Sequence, residues 1–223
     1  QCQMLNHEHD NMAEMCKKAI KEKRIFTQII NFERNKEYLK DIPHRKFLDL
    51  ALIYGLLVDD DQEGIASAVI KNDALEKLGL STEDELFMNE RTQELLPTTC
   101  EDINSVMCKM FAKEDIPIEV ISEIKNEPPV EMWVLSNKLG IHGANALIYT
   151  EILENLANKL NSDLYILPSS VHEVIVIKAD NAKKLEDLKL MVSEINMKEV
   201  AYSERLSDNI YYFCRETRKV VIA

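Results

Sequence analysis

Residues 164–178 (LYILPSSVHEVIVIK) place two apolar, β-branched runs on either side of Pro168-Ser169-Ser170. β-Branched and aromatic side chains pack well on a pleated surface, while proline and serine supply turn geometry and local hydrogen bonds. The segment therefore predicts two strands joined by a hinge, the repeating unit of an antiparallel sheet. Residues 47–58 (FLDLALIYGLLV) are almost continuously apolar, which predicts a strand buried on both faces. A charged turn at 59–64, closed by Gly64, sends the chain back through 65–70 as the second strand of a hairpin.

Helical signals fall between the strands. Met12, Met15, Cys16, Ala19 and Ile20 recur at helical spacing over 11–23. Residues 25–32 suit a strand, with continuation of the helix as the competing reading, and 35–40 form a short turn or helix ended by Pro43. Asn72 or Asp73 caps a short helix to Leu78, and Ser81-Thr82-Glu83-Asp84 opens another that stops before Pro97. A strand at 132–135 and a glycine-bearing loop at 137–143 lead into a helix over 144–160. Leu147, Ile148, Ile152, Leu153, Leu156 and Leu160 line one side of that helix. A helix over 182–195 and a hairpin of 209–213 with 219–222 close the chain. The pattern predicts an α+β fold, antiparallel β-hairpins alternating with helices packed on the sheets, in two similar sub-domains. The divisions are an N-terminal helix at 1–24, a first sub-domain at 25–110, a proline-bearing linker at 111–130 and a second sub-domain at 131–223. Helices cover one face of each sheet, or a single continuous sheet runs through both halves. Residues 68–78 and 175–185 share a Val-Ile-Lys strand end followed by an Asn/Asp cap. That pairing fits duplication, and it fits equally the convergence of hairpin-to-helix junctions on these residue types.

Several separated motifs occur in order: Asn31-Phe-Glu-Arg-Asn35, residues 42–50 (IPHRKFLDL), Asn137 with Gly143-Ala144, residues 167–173 (LPSSVHE), and Leu206-Ser207-Asp208 ahead of Tyr211-Tyr212. In these the chain resembles a bacterial family of unknown function, numbered 5688, with members mostly from gut anaerobes. The resemblance implies a soluble protein with no assigned activity or cofactor.

Charge narrows the partners. Lys+Arg 27 against Asp+Glu 39 gives a net charge of −12, which opposes the field of a phosphate backbone and predicts no nucleic-acid binding. No window approaches eighteen consecutive apolar residues, so no membrane span is expected. The opening residues lack a basic stretch followed by an apolar one, so no secretory signal is read there. Gln1 stands where an initiator methionine would, which predicts further chain upstream. Cys2, Cys16, Cys100, Cys108 and Cys214 are odd in number and form no C-x-x-C pair, as expected of reduced thiols in a cytoplasmic protein.

Candidate chemistry is sparse. Ser169, Ser170 and His172 have the residue types of a hydroxyl nucleophile and its base. If the second strand begins at Val171, however, His172 and Glu173 point to opposite faces, and no Gly-x-Ser-x-Gly elbow or glycine-rich oxyanion loop accompanies them. Asn137, His44 and Arg45 are candidate ligand contacts, Arg45 through its planar fork. A structural role competes: Arg34 or Arg45 pairing with Asp49, a carboxylate inside an otherwise apolar strand. His7-Glu8-His9-Asp10 is spaced wrongly for one helix face, and the acidic turn at 59–63 lacks calcium-loop spacing, so neither a metal nor a cofactor is expected. Trp133 and the tyrosines read as core or rim. Met12 and Met15 offer an apolar stripe for a partner.

These features point first to a non-enzymatic cytoplasmic interaction or ligand-binding protein, monomeric or weakly dimeric, with a protein or small molecule as partner. A hydrolase-like enzyme using Ser169 or Ser170 with His172 is the first alternative. A regulatory subunit docking through its N-terminal helix is the second.

Overall fold

The computed structural model describes residues 2–61, 64–114, 116–117, 119, 121–123, 130–168, 170–179 and 185–223. They form two compact units, Gln1–Pro97 and Thr98–Ala223, each carrying its own antiparallel sheet, and the fold class is α+β.

In the first unit, α1 (Cys2–Glu22) ends where Lys23 turns left-handed (φ 50°) and the Arg24 amide donates to the Ala19 carbonyl at 3.0 Å. That cap satisfies an orphan carbonyl and settles the competition at Ile25 in favour of a strand, β1 (Ile25–Asn31). A turn containing α2 (Lys36–Leu39) leads to β2 (His44–Phe47), β3 (Leu50–Asp61) and β4 (Gly64–Val69). β3 is the spine of this sheet. β1 lies along one edge of it, and β2 followed by β4 lie along the other. Leu50 through Tyr54 are each at most 2 % exposed, as expected of a strand covered on both faces. Ala51 and Ile53 pack beneath Leu39 and Ile42, while Tyr54 reaches α3 (Glu83–Gln93) from the opposite face. Gly55 is required by close approach, since a Cβ there would stand 2.5 Å from the Phe26 ring.

The predicted hairpin is present, with its boundary moved. Phe47 belongs to β2, and the tight turn Leu48-Asp49 separates it from β3; with no glycine, proline or asparagine to mark it, that turn is hidden in the apolar run. Asp49 is therefore a half-buried turn residue, and of the two partners expected for it, Arg34 and Arg45, Arg45 is engaged elsewhere. Arg45 binds Glu83 (2.9 Å) and Asp84 (2.5 Å), and its guanidinium lies 4.1 Å from the centre of the Phe87 ring.

The second unit begins with β5 (Thr98–Asp102) and α4 (Ile103–Lys113), followed by β6 (Met132–Asn137). A tight helical segment, Gly143–Ile148, breaks at Tyr149 before α5 (Thr150–Leu160). Then come β7 (Leu164–Leu167), β8 (Val174–Lys178), α6 (Leu185–Lys198), β9 (Tyr211–Cys214) and β10 (Lys219–Ile222), in sheet order β10-β9-β7-β8-β6-β5. Alternation sorts the side chains. Leu135, Val174, Val176 and Ile166 share one face, where Ala144, Ala146, Leu147, Leu153, Leu156 and Ala157 are buried, while Ile175, Ile177 and Tyr165 pack with Leu188 and Val192 of α6 on the other. Helices thus cover both faces of this sheet, not one.

The unit boundary falls at Pro97/Thr98 and not within 111–130. Thr98–Asp102 is too polar to read as a strand, yet it pairs with β6 along its whole length, which draws residues 98–113 into the second unit. The two units share a plan of hairpins and helices but have four and six strands respectively. The repeated Val-Ile-Lys segments are not equivalent: β4 pairs with β3 alone and runs into tight turns at Asn72–Ala74 and Glu76–Leu78, whereas β8 lies between β7 and β6. Residues 180–184, where the second helix was expected to begin, lie outside the described residues.

Candidate functional site

The hinge between β7 and β8 is held by hydrogen bonds to its own backbone. The Val171 amide donates to the Glu204 carbonyl (2.9 Å), the Ala144 amide to Val171 (3.2 Å), the Ser207 amide to Pro168 (3.1 Å), and the Ser136 hydroxyl to His172 (2.8 Å). A loop placed against buried chain must satisfy its peptide groups in this way. Ser170 Oγ accepts the His172 amide at 3.1 Å, a turn-closing bond. Because β8 starts at Val174, His172 and Glu173 lie in the loop and the expected alternation between faces does not apply to them. The group facing the His172 ring is Glu204, 3.5 Å from Nε2. His172 Nδ1 accepts the His142 amide at 3.2 Å, so the neutral ring carries its proton on Nε2, toward Glu204. No lone pair is left to take a proton from Ser170. His142, left-handed at φ 54°, sits with its ring 5.5 Å from that of His172. Burial and the neighbouring imidazole lower its pKa, so it is neutral at neutral pH.

The other sequence candidates are equally occupied. The Asn137 carboxamide oxygen accepts the Leu139 (3.0 Å) and Gly140 (2.9 Å) amides and its nitrogen donates to Ile141 (2.7 Å), which folds the 137–143 loop around it. In the first unit His44 Nδ1 donates to the Ile42 carbonyl at 2.9 Å, and Arg45 is tied to Glu83 and Asp84. Asn137 and His172 share a neighbourhood through Ser136; His44 and Arg45 belong to β2. Ser169 lies outside the described residues, as do the side chains of His7 and His9 in α1. Among the described residues no group of three His, Cys, Asp or Glu side chains is placed to hold a metal ion.

A cleft of about 550 Å³ lies elsewhere in the second unit, against β5, β6 and α5. Register places Cys100 opposite Leu135 and Asp102 opposite Trp133, so Cys100, Asp102 and Trp133 share one face. Ile152, Asn155, Leu156 and Lys159 stand at i, i+3, i+4 and i+7, one stripe of α5, and meet that face across the cleft. Its acids are already committed. Asp102 caps α4, accepting the Ser105 amide (2.9 Å) and hydroxyl (2.7 Å), bonds that lower its pKa. Glu101 pairs with Lys109. Burial raises the Cys100 thiol, against the pull of the Lys159 charge, so it stays protonated at neutral pH. The Asn155 amide, the Trp133 indole and the Lys159 ammonium make no side-chain hydrogen bond or ion pair with described residues.

None of these cleft residues was a sequence candidate. The available signal was the polar pair Asn155 and Lys159 bordering the apolar stripe of a strongly amphipathic helix. Its facing wall needs β5, whose composition does not announce a strand.

Fold and cleft together define a two-unit α+β protein with a small-molecule-sized cleft in its second unit. The chain belongs to the family of unknown function DUF5688, which it matches over residues 2–215. Neither the curated proteins nor the solved structures give a match. Among the described residues no helix is long and apolar enough to cross a membrane.

Proposed function

We propose that this is a non-enzymatic, cytoplasmic ligand-binding protein whose site is the cleft formed by Trp133, Cys100 and the outer stripe of α5. The observation that carries the reading is the mismatch within the cleft. Its volume is in the range that small-molecule sites occupy, its apolar wall is preformed, and its remaining polar groups are unspent. Elsewhere in the molecule comparable polar groups are consumed by the fold, as at Asn137 and His172. Among the described residues Cys16, Cys100, Cys108 and Cys214 are free thiols, which fits a reducing compartment. The net charge of −12 argues for a small-molecule partner over nucleic acid. The hydrolase alternative is disfavoured by His172, whose two nitrogens face a backbone amide and Glu204.

The test is a thermal-shift screen of a small-molecule fragment collection against the wild type and Asn155→Phe. Residue 155 is exposed, so the larger ring fills the cleft without entering the core. Fragments that raise the melting temperature of the wild type should lose that effect in the variant. Hits that stabilise both proteins equally would place binding elsewhere.

A further inference from the structure

We infer that the cleft selects an organic acid: a small molecule with a flat or branched apolar body and a single carboxylate. The inference rests on the cleft being the binding site and names what that site takes. It follows from which charges in the cleft are left over. Glu101 is neutralised by Lys109, and the Asp102 carboxylate is bonded into the first turn of α4, where the helix dipole favours a negative charge. Cys100 carries no charge. Among the cleft-lining charges Lys159 is therefore the one that makes no hydrogen bond or ion pair with a described residue.

Geometry adds a second donor. Asn155 and Lys159 are four residues apart on α5, so their side chains are neighbours along the helix and can both donate to one carboxylate. A single lysine with one amide suits a monoanion. A phosphate ester calls for more cationic donors or a cradle of free backbone amides, and the cleft presents neither. The body of the ligand is set by the cleft's apolar lining, where Trp133 offers an aromatic face from β6 and Ile152 and Leu156 offer two branched side chains from α5. Such a wall binds apolar surface without regard to charge, so affinity for the body and selectivity for the acid are separable.

Trp133 is the chain's single tryptophan, so selectively excited tryptophan emission reports this cleft. The experiment titrates the protein with hydrocinnamate and octanoate, their primary amides, and phenylpropylammonium, following Trp133 emission and confirming each isotherm by calorimetry. The acids should bind about tenfold more tightly than their amides, the worth of one charge-assisted contact, and the ammonium should bind weakest. Lys159→Met should bring the acids down to the level of the amides and leave the amides unchanged; Lys159→Arg should keep most of the preference. Residue 159 is exposed on its helix, and circular dichroism verifies that both variants fold. Amides binding as tightly as acids, or an acid preference that survives Lys159→Met, would overturn the inference while leaving the cleft as the site. Absence of binding by every probe would overturn the cleft reading itself, and the inference with it.

Discussion

Tyr212→Phe should destabilise the second unit by about 1 kcal/mol at neutral pH, and that loss should vanish in acid. Asp163 stands just before β7, and Tyr212 pairs across the strand with Tyr165, two residues further on, so the phenol and the carboxylate share a face. The Tyr212 hydroxyl donates to one Asp163 oxygen at 2.5 Å and the Arg215 amide to the other at 2.7 Å. The bond to Asp163 is the main reason the phenol's pKa is pushed up to about 12. Relative to an ordinary value near 10, that corresponds to about 2.7 kcal/mol favouring the protonated phenol. The pair is partly open to water, and screening reduces this to about 1 kcal/mol. Tyr212→Phe keeps the tilted ring contact with Tyr165, at 5.7 Å, and removes only the donor. The sign differs for the two partners. Tyr212 has a raised folded pKa, so its contribution is complete below about 10 and is lost as pH rises through about 12. Asp163 has a lowered folded pKa, so its contribution is complete above the unfolded value near 4 and is lost as pH falls through the depressed folded value. The assay is urea unfolding followed by Trp133 fluorescence, which reports the second unit, for wild type, Tyr212→Phe, Asp163→Asn and the double variant. The cycle should show a coupling of about 1 kcal/mol at neutral pH that disappears once Asp163 is protonated. Additive single effects, or a Tyr212→Phe loss that stays constant into acid, would refute the reasoning.

Two further predictions concern the hinge neighbourhood. Gly143→Ala should cost about 3 kcal/mol in urea unfolding, because an added Cβ would overlap Ser136 Oγ and the Asn137 amide nitrogen, and backbone there cannot move aside. Ser169→Ala and Ser170→Ala should each cost about 0.5–1.5 kcal/mol, the worth of a net hydrogen bond. Neither serine should react with a fluorophosphonate; stoichiometric labelling abolished by His172→Ala would restore the hydrolase reading.

The parts of the fold legible in the sequence were those in which one residue type dominates a long segment. Leu50 to Leu57 is apolar because both of its faces are covered, and the capping box expected at Ser81–Asp84 forms one residue later, at Thr82–Glu85, through local hydrogen bonds. Alternation along β9 admits only one of the adjacent Tyr211 and Tyr212 rings to the core, and the structure shows which: Tyr211 is fully buried and Tyr212 is not. Errors arose where tertiary pairing overrode local preference. Thr98–Asp102 has little strand character and becomes a strand because β6 offers it a free edge. Val171 to Glu173 has strand character and is withheld from the sheet because the segments at 142–144 and 204–207 take its hydrogen bonds.

The same logic governs the two polar neighbourhoods. In sequence, Ser169, Ser170, His172 and Glu173 are dense in catalytic residue types and so attract attention, but density along the chain is what a tight turn needs to satisfy its own amides. The cleft has the opposite signature. Cys100, Trp133, Asn155 and Lys159 come from three elements spread over sixty residues, and none is conspicuous beside its sequence neighbours. What distinguishes them is that their side chains find no hydrogen-bond or ion-pair partner among the described residues, a property that exists only after β5 has paired with β6 and α5 has been laid across that face. A group's availability is decided by what the fold leaves unbonded. By that measure Lys159, rather than His172, is the side chain on which the function of this protein should be tested first.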